Sequence, residues 1–208
     1  MEIVRMSVGP LQANAYLLLA GEAAVVVDPG AEGDLIAAEL ERRAKRLEAV
    51  WLTHAHFDHV GGLAELLAAH GDGAVPVLMH PADEPLLEHA VAAAARWGID
   101  IPAPPQRTHD LAHGALLSVG GEQARALHTP GHAPGHVAFH LPGHGVVLSG
   151  DALFQGSIGR TDLPLADHGQ LLASIRRELL TLPDDTTVLP GHGPATTVEA
   201  GRFGNPFL

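Results

Sequence analysis

Residues 49–62 read AVWLTHAHFDHVGG, and the fold turns on how that stretch is parsed. The run AVWLT has the β-branched and aromatic character of a strand, yet the six residues after it hold His54, His56, Asp58 and His59. Neighbouring strand residues point to opposite faces. Four side chains that are to converge therefore require the backbone to leave strand geometry at Thr53, in a loop between a strand and a helix. The ordinary alternative is a surface cluster in a chain with fifteen histidines. It fails on arithmetic, because the pattern H-x-H-x-D-H arises by chance here with a probability of roughly 0.4%.

Working outward, the segments NAYLLLA (14–20) and AAVVVDPG (23–30) read as strands, followed by a helix over LIAAELERRAKR (35–46) with Asp34 as its N-cap. Beyond the histidine stretch, GGLAELLAAHG (61–71) is a helix, AVPVLMH (74–80) a strand and ADEPLLEHAVAAAARWG (82–98) a helix closed by glycine. The second half changes texture. The runs ALLSVGG, ARALHTP, HVAFHLP and GVVLSGD are short strands with Gly/Pro punctuation, the pattern of an antiparallel meander. One helix, HGQLLASIRRELLTL (168–182), then precedes a strand at TTVLPG (186–191). Both halves mix sheet and helix without a low-complexity linker, which predicts one domain over residues 1–208, built as two packed sheets with helices outside.

Composition narrows the chemistry. With no cysteine, thiolate ligation and a cysteine nucleophile are excluded, so any metal site is of N/O type. A formal charge of −12 repels phosphate backbones and anionic lipid, so neither nucleic acid nor a membrane is expected as a partner. No long apolar run and no basic leader in MEIVRMSVGP is seen, and a cytoplasmic location is the expectation.

Three further segments end apolar strands in polar residues beside glycine: HTPGHAPGH, VVLSGDALF and TVLPGHGP, from which His132, Asp151 and His192 are selected. Together with the first four residues this makes five imidazoles and two carboxylates, too many for one ion and suited to two, with Asp151 as the shared carboxylate. A water between two such ions ionises near neutral pH and would supply a hydroxide nucleophile. Zinc is expected, with iron or manganese accepted by the same donors. His136 is read as structural or as a support to a ligand rather than as a ligand itself. Asp28, in VVVDPG, is read evenly as a turn residue or as a hydrogen-bond partner of a ligating histidine.

At these residues the chain resembles the metallo-β-lactamase superfamily, whose H-x-H-x-D-H signature is matched by HAHFDH and whose later His, Asp and His are matched by His132, Asp151 and His192. The resemblance implies an αββα four-layer sandwich, two mixed β-sheets with helices on the outer faces. It also implies that His54, His56 and His132 bind one metal, Asp58, His59 and His192 the other, and Asp151 both. Within the superfamily, NAYLL, VVDPG, HTPGHAPGH and SGDALFQGSIGRTDLP are similar to hydroxyacylglutathione hydrolases (glyoxalase II) that lack the C-terminal helical domain. A small-molecule thioester is then the expected substrate, with Asp58 orienting the hydroxide. Arg160 stands where the family has a glutathione-contacting lysine, and Asp162 where it has a tyrosine. The rival reading is a persulfide dioxygenase with one iron on the residues matching His54, His132 and Asp151; a nucleic-acid-processing metallohydrolase ranks below it on charge.

Overall fold

A computed structural model describes residues 1–71 and 75–208. The first sheet is built from β1 (Glu2–Val8), β2 (Ala13–Ala20), β3 (Ala23–Val27), β4 (Arg46–Trp51), β5 (Val77–Met79) and β6 (His109–Asp110), in that spatial order. Strands β2 and β3 are buried along their whole length, which is why they read as unbroken apolar runs rather than alternations. Alternation survives in what the two faces touch. Ala15, Leu17 and Leu19 pack toward the helices α1 (Gly33–Arg42), α3 (Leu63–Ala69) and α4 (Glu84–Ala95). Tyr16, Leu18 and Ala20 face the second sheet instead.

That second sheet holds β7 (Leu116–Val119), β8 (Glu122–His128), β9 (Val137–Leu141), β10 (Val146–Gly150), β13 (Thr187–Pro190) and β14 (Thr196–Thr197), and the hairpin β11 (Leu153–Phe154) and β12 (Ser157–Ile158) lies between β10 and β13 in sequence. Strands β7 to β10 form the expected antiparallel meander, and β13 joins β10 in parallel. Ala126, Phe139 and Leu148 meet the first sheet, where Phe139 packs on Trp51 with ring centroids 5.2 Å apart. Leu127, Ala138 and Val188 turn outward to α5 (His168–Ser174), its continuing π turn Ile175–Leu179, and α6 (Val198–Gly204). Helix, sheet, sheet, helix is the αββα order. Among the described residues no helix is long and apolar enough to cross a membrane.

Several boundaries differ from the sequence reading. Asp34 is not the N-cap of α1; Glu32 is, in the left-handed region, and Asp34 lies in the first turn with its carboxylate accepting from Leu35 N–H. The helix stops at Arg42 rather than 46, since Ala44 turns left-handed and Arg46 is already paired with Ala23 in β4. The helix expected over 61–71 shortens to α3, and a separate turn α2 (Phe57–Val60), within the stretch read as a loop, carries Asp58 and His59 before it. The strand expected over 74–80 shortens to β5, and Ala74 lies outside the described residues. Strand β1 and helix α6 were not anticipated.

Four strands place the site. β3 and β4 run parallel in one sheet, β10 and β13 run parallel in the other, and Asp28, the His54–His59 segment, Asp151 and His192 follow their C-terminal ends. Hydrogen bonds from Val137 N–H to Thr53 O (2.7 Å) and from Gly191 N–H to Gly150 O (2.8 Å) stitch this edge together.

Candidate metal centre

The loop leaving β4 is anchored by Asp28. Its carboxylate accepts from Thr53 N–H at 2.7 Å and from the Thr53 hydroxyl at 2.6 Å. Having given its proton to a group that only accepts, the hydroxyl can serve His54 Nδ1, 2.9 Å away, only as an acceptor. Nδ1 of His54 is thus protonated and Nε2 carries the lone pair. By the same logic His59 Nδ1–H donates to Asp28 at 3.1 Å and His132 Nδ1–H to the carbonyl of Arg160 at 2.8 Å, which turns both Nε2 atoms inward, that of His132 lying 2.9 Å from His56 Nδ1. Asp28 therefore takes the supporting role that its position in VVVDPG left open. Gly30 permits this crowding, because a Cβ there would overlap the Asp58 carbonyl.

These nitrogens converge. Donor atoms of His54, His56 and His132 lie within 4.8 Å of one another, as do those of Asp58, His59 and His192. Asp151 sits between the two groups, 3.6 Å from His132 Nε2, 3.6 Å from His192 Nε2 and 3.5 Å from His59 Nε2. Asp28, His54 and His59 also fall within the same span, but the Asp28 oxygens are already saturated by Thr53 and His59. Among the described residues three buried side-chain atoms have no hydrogen-bond partner: His54 Nε2, His59 Nε2 and Asp151 Oδ1. All three point at one place, and once His59 Nε2 gives up its proton they form an acceptor set that fits metal cations. Gly191 keeps the space open, since a Cβ at that position would lie 2.1 Å from Asp151 Oδ1.

Electrostatics agree. Burial, reinforced by the neighbouring histidines, holds His54 well below the ordinary imidazole value, so it is neutral and ready to ligate. Burial also works against a charged His59, but the Asp151 and Asp58 carboxylates outweigh it and raise that residue. Asp151 is itself kept ionised despite its burial by His59, His132 and His192.

Further residues hold the loops, and the sequence reading did not single them out. Asp83, buried at the head of α4, accepts from Ala55 N–H at 3.0 Å and from Gly135 N–H, tying the His54–His56 loop to the one carrying His132. Burial pushes its carboxyl up to about 6. Asn14 on β2 donates through its amide to the carbonyls of Pro190 and Gly193, at 2.9 and 3.0 Å, and so straddles His192; Tyr16 donates to Pro190 O at 2.7 Å. His136 is not free to ligate. Its Nε2 accepts from Asp151 N–H at 3.0 Å, and its Nδ1–H donates to the Thr129 hydroxyl at 2.8 Å. Arg160 lines the cleft over the cluster, with its guanidinium bound twice to Asp162 at 2.7 and 2.8 Å.

With this geometry established, the sequence profile of the metallo-beta-lactamase superfamily matches residues 8–192. The chain belongs to the metallo-beta-lactamase superfamily. Within this superfamily it is 41% identical to the probable metallo-hydrolase YqgX of Bacillus subtilis, over 98% of this chain and 96% of that one. It is 37% identical to the hydroxyacylglutathione hydrolase GloC of Haemophilus influenzae, over 100% of this chain and 98% of the other. Among solved structures, TTHA1623 in a di-iron-bound form superposes with a TM-score of 0.91 at 48% identity, covering 99% of this chain and 100% of its own. The metallo-beta-lactamase fold thus accounts for the sandwich and for a His/Asp cluster at its edge.

Proposed function

We propose that this chain is a metal-dependent thioester hydrolase of the hydroxyacylglutathione hydrolase kind, with two divalent ions at the sheet edge. The observation that carries the reading is the set of buried, unpartnered polar atoms on His54, His59 and Asp151 at the floor of a cleft. His54, His56 and His132 would hold one ion, Asp58, His59 and His192 the other, and Asp151 both. Zinc suits the N/O donors, with iron or manganese as alternatives. When bound, such a pair lowers the pKa of water toward neutrality and polarises a carbonyl oxygen.

The chain's own groups do the rest. Asp58 resists burial as a carboxylate because His59 and His192 face it, so it accepts a hydrogen bond from the attacking water and orients it. The Nδ1 hydrogen bonds of His54, His59 and His132 fix each ring before any ligand arrives, which avoids reorganisation during the reaction. A thiolate leaves readily, and the cleft needs no strong general acid. The similarity to GloC supports a small-molecule thioester as substrate.

The test is elemental analysis of the purified protein with lactoylglutathione hydrolysis measured on the same sample. Two metals with hydrolysis support the proposal. One iron with oxygen uptake on glutathione persulfide would replace it with the dioxygenase reading.

A further inference from the structure

A cleft of about 730 Å³ opens over the cluster, and one of its walls is helix α4. Two adjacent stripes at helical spacing face it. Leu86, Ala90, Ala93 and Trp97 form an apolar stripe, and Pro85, His89, Ala92 and Arg96 the stripe beside it. The helix lies along the metal-ligand segment, since Asp83 at its head binds Ala55 N–H and Trp97 at its tail packs on Phe57 with centroids 6.4 Å apart. From Pro85 to Arg96 the wall is roughly 16 Å long at the α-helical rise. Beyond the helix, Phe154, Ile158 and Leu163 add apolar lining. At the mouth Trp97 and Leu165 remain 57% and 59% exposed, and Leu165 holds a left-handed backbone with φ 65°. Large apolar side chains left unburied around a cleft mark a surface that awaits an apolar ligand.

Charge selects the end group. The molecule carries −12 overall, so an anionic substrate is repelled except where a local cation receives it. Two arginines line the cleft. Arg160 has its fork taken up by Asp162. Arg96 makes no ion pair or side-chain hydrogen bond among the described residues, and its donors are available.

We infer that the cleft selects thioesters bearing an apolar chain or ring that ends in a carboxylate, and that Arg96 receives this carboxylate. The inference rests on the thioester reading for the reacting group, but the recognition itself is a binding event that can be measured apart from hydrolysis.

The probes are the thioether benzylthio-hexanoic acid and its primary amide, neither of which carries a thioester or an alkyl ester, each titrated calorimetrically into metal-loaded protein. The acid should bind about tenfold more tightly than the amide, the Arg96→Ala variant should lose that difference while binding the amide unchanged, and Arg96→Lys should recover part of it. Equal binding of acid and amide to the wild type, or an Arg96→Ala variant that retains the preference, overturns the assignment. Turnover of the corresponding benzoyl thioester is scored separately. Acid-selective binding without turnover contradicts the hydrolase reading and leaves Arg96 in place, whereas turnover without acid selectivity does the reverse.

Discussion

Asp83 shows how a single side chain outside the cluster governs it. It is a fully buried carboxyl with no ion-pair partner among the described residues, satisfied by two backbone N–H groups from two different ligand loops. An amide at this position keeps one acceptor and turns an NH2 toward a backbone N–H. Asp83→Asn should therefore leave a backbone N–H and the new NH2 facing each other without an acceptor, at about 1–3 kcal/mol in denaturant unfolding. Because the bond it breaks joins two loops, metal affinity should fall about ten- to a hundredfold, as when other groups that support ligands are removed. A variant with wild-type stability and metal affinity would show that the two loops hold their places without Asp83. Gly135 packs so closely on Asp83 that a Cβ there would approach its carboxylate to 2.8 Å, so the contact tolerates little rearrangement.

At the scale of elements, β2 does more than fill the core. Its apolar residues alternate between the two cores, while Asn14 reaches past them to the turn after β13 and holds both carbonyls flanking Gly191 and His192. Asn14→Ala should loosen His192 and weaken the ion held with Asp58 and His59 by about tenfold or more, while the ion on His54, His56 and His132 stays bound. Competition with a chromophoric chelator resolves two affinities and would expose an equal loss at both sites, which contradicts this division of labour. Much of this architecture was legible in the sequence. The apolar runs of β2 and β3, the break after β4 and the glycine-flanked His132, Asp151 and His192 all carry local signals, because a buried strand and a loop at its end leave both composition and punctuation. What escaped has a physical reason. Strand β1 is a half-exposed edge whose residues show no steady pattern, and α6 is a short helix spanning two glycines. The Glu32 cap depends on a left-handed backbone at a non-glycine residue. Asp83 reads locally as an ordinary acidic residue at a helix start, and only the tertiary fold brings Ala55 and Gly135 to it. Asn14 alone offered a signal, as a polar residue inside an apolar strand.

For the whole molecule, the buried histidines set the response to acid once metal is removed. Burial holds His54 and His136 well below the ordinary value of 6.5. A depressed histidine binds fewer protons folded than unfolded below pH 6.5, so the stability it contributes is present above that pH and is lost as pH falls. His59 and His192, raised instead, favour the fold below 6.5 and lose that contribution as pH climbs past it, so they oppose the trend toward pH 7.5. Asp83, raised to about 6, acts oppositely, its protonation favouring the fold between its ordinary value of 3.8 and 6. His56 and His132 are depressed as well, so four depressed histidines outnumber Asp83 and the two raised ones. The chelated protein should unfold at lower denaturant at pH 5 than at pH 7.5, and a flat or reversed trend would contradict neutral, buried imidazoles. The same buried donors underlie the central claim, that Asp151 is shared by two ions in one reacting centre. It is tested most directly by counting metal in Asp151→Ala by elemental analysis beside the wild type. The account predicts about two ions per chain in the wild type and well below one in the variant, with thioester hydrolysis lost; an Asp151→Ala protein that keeps two metals would contradict it.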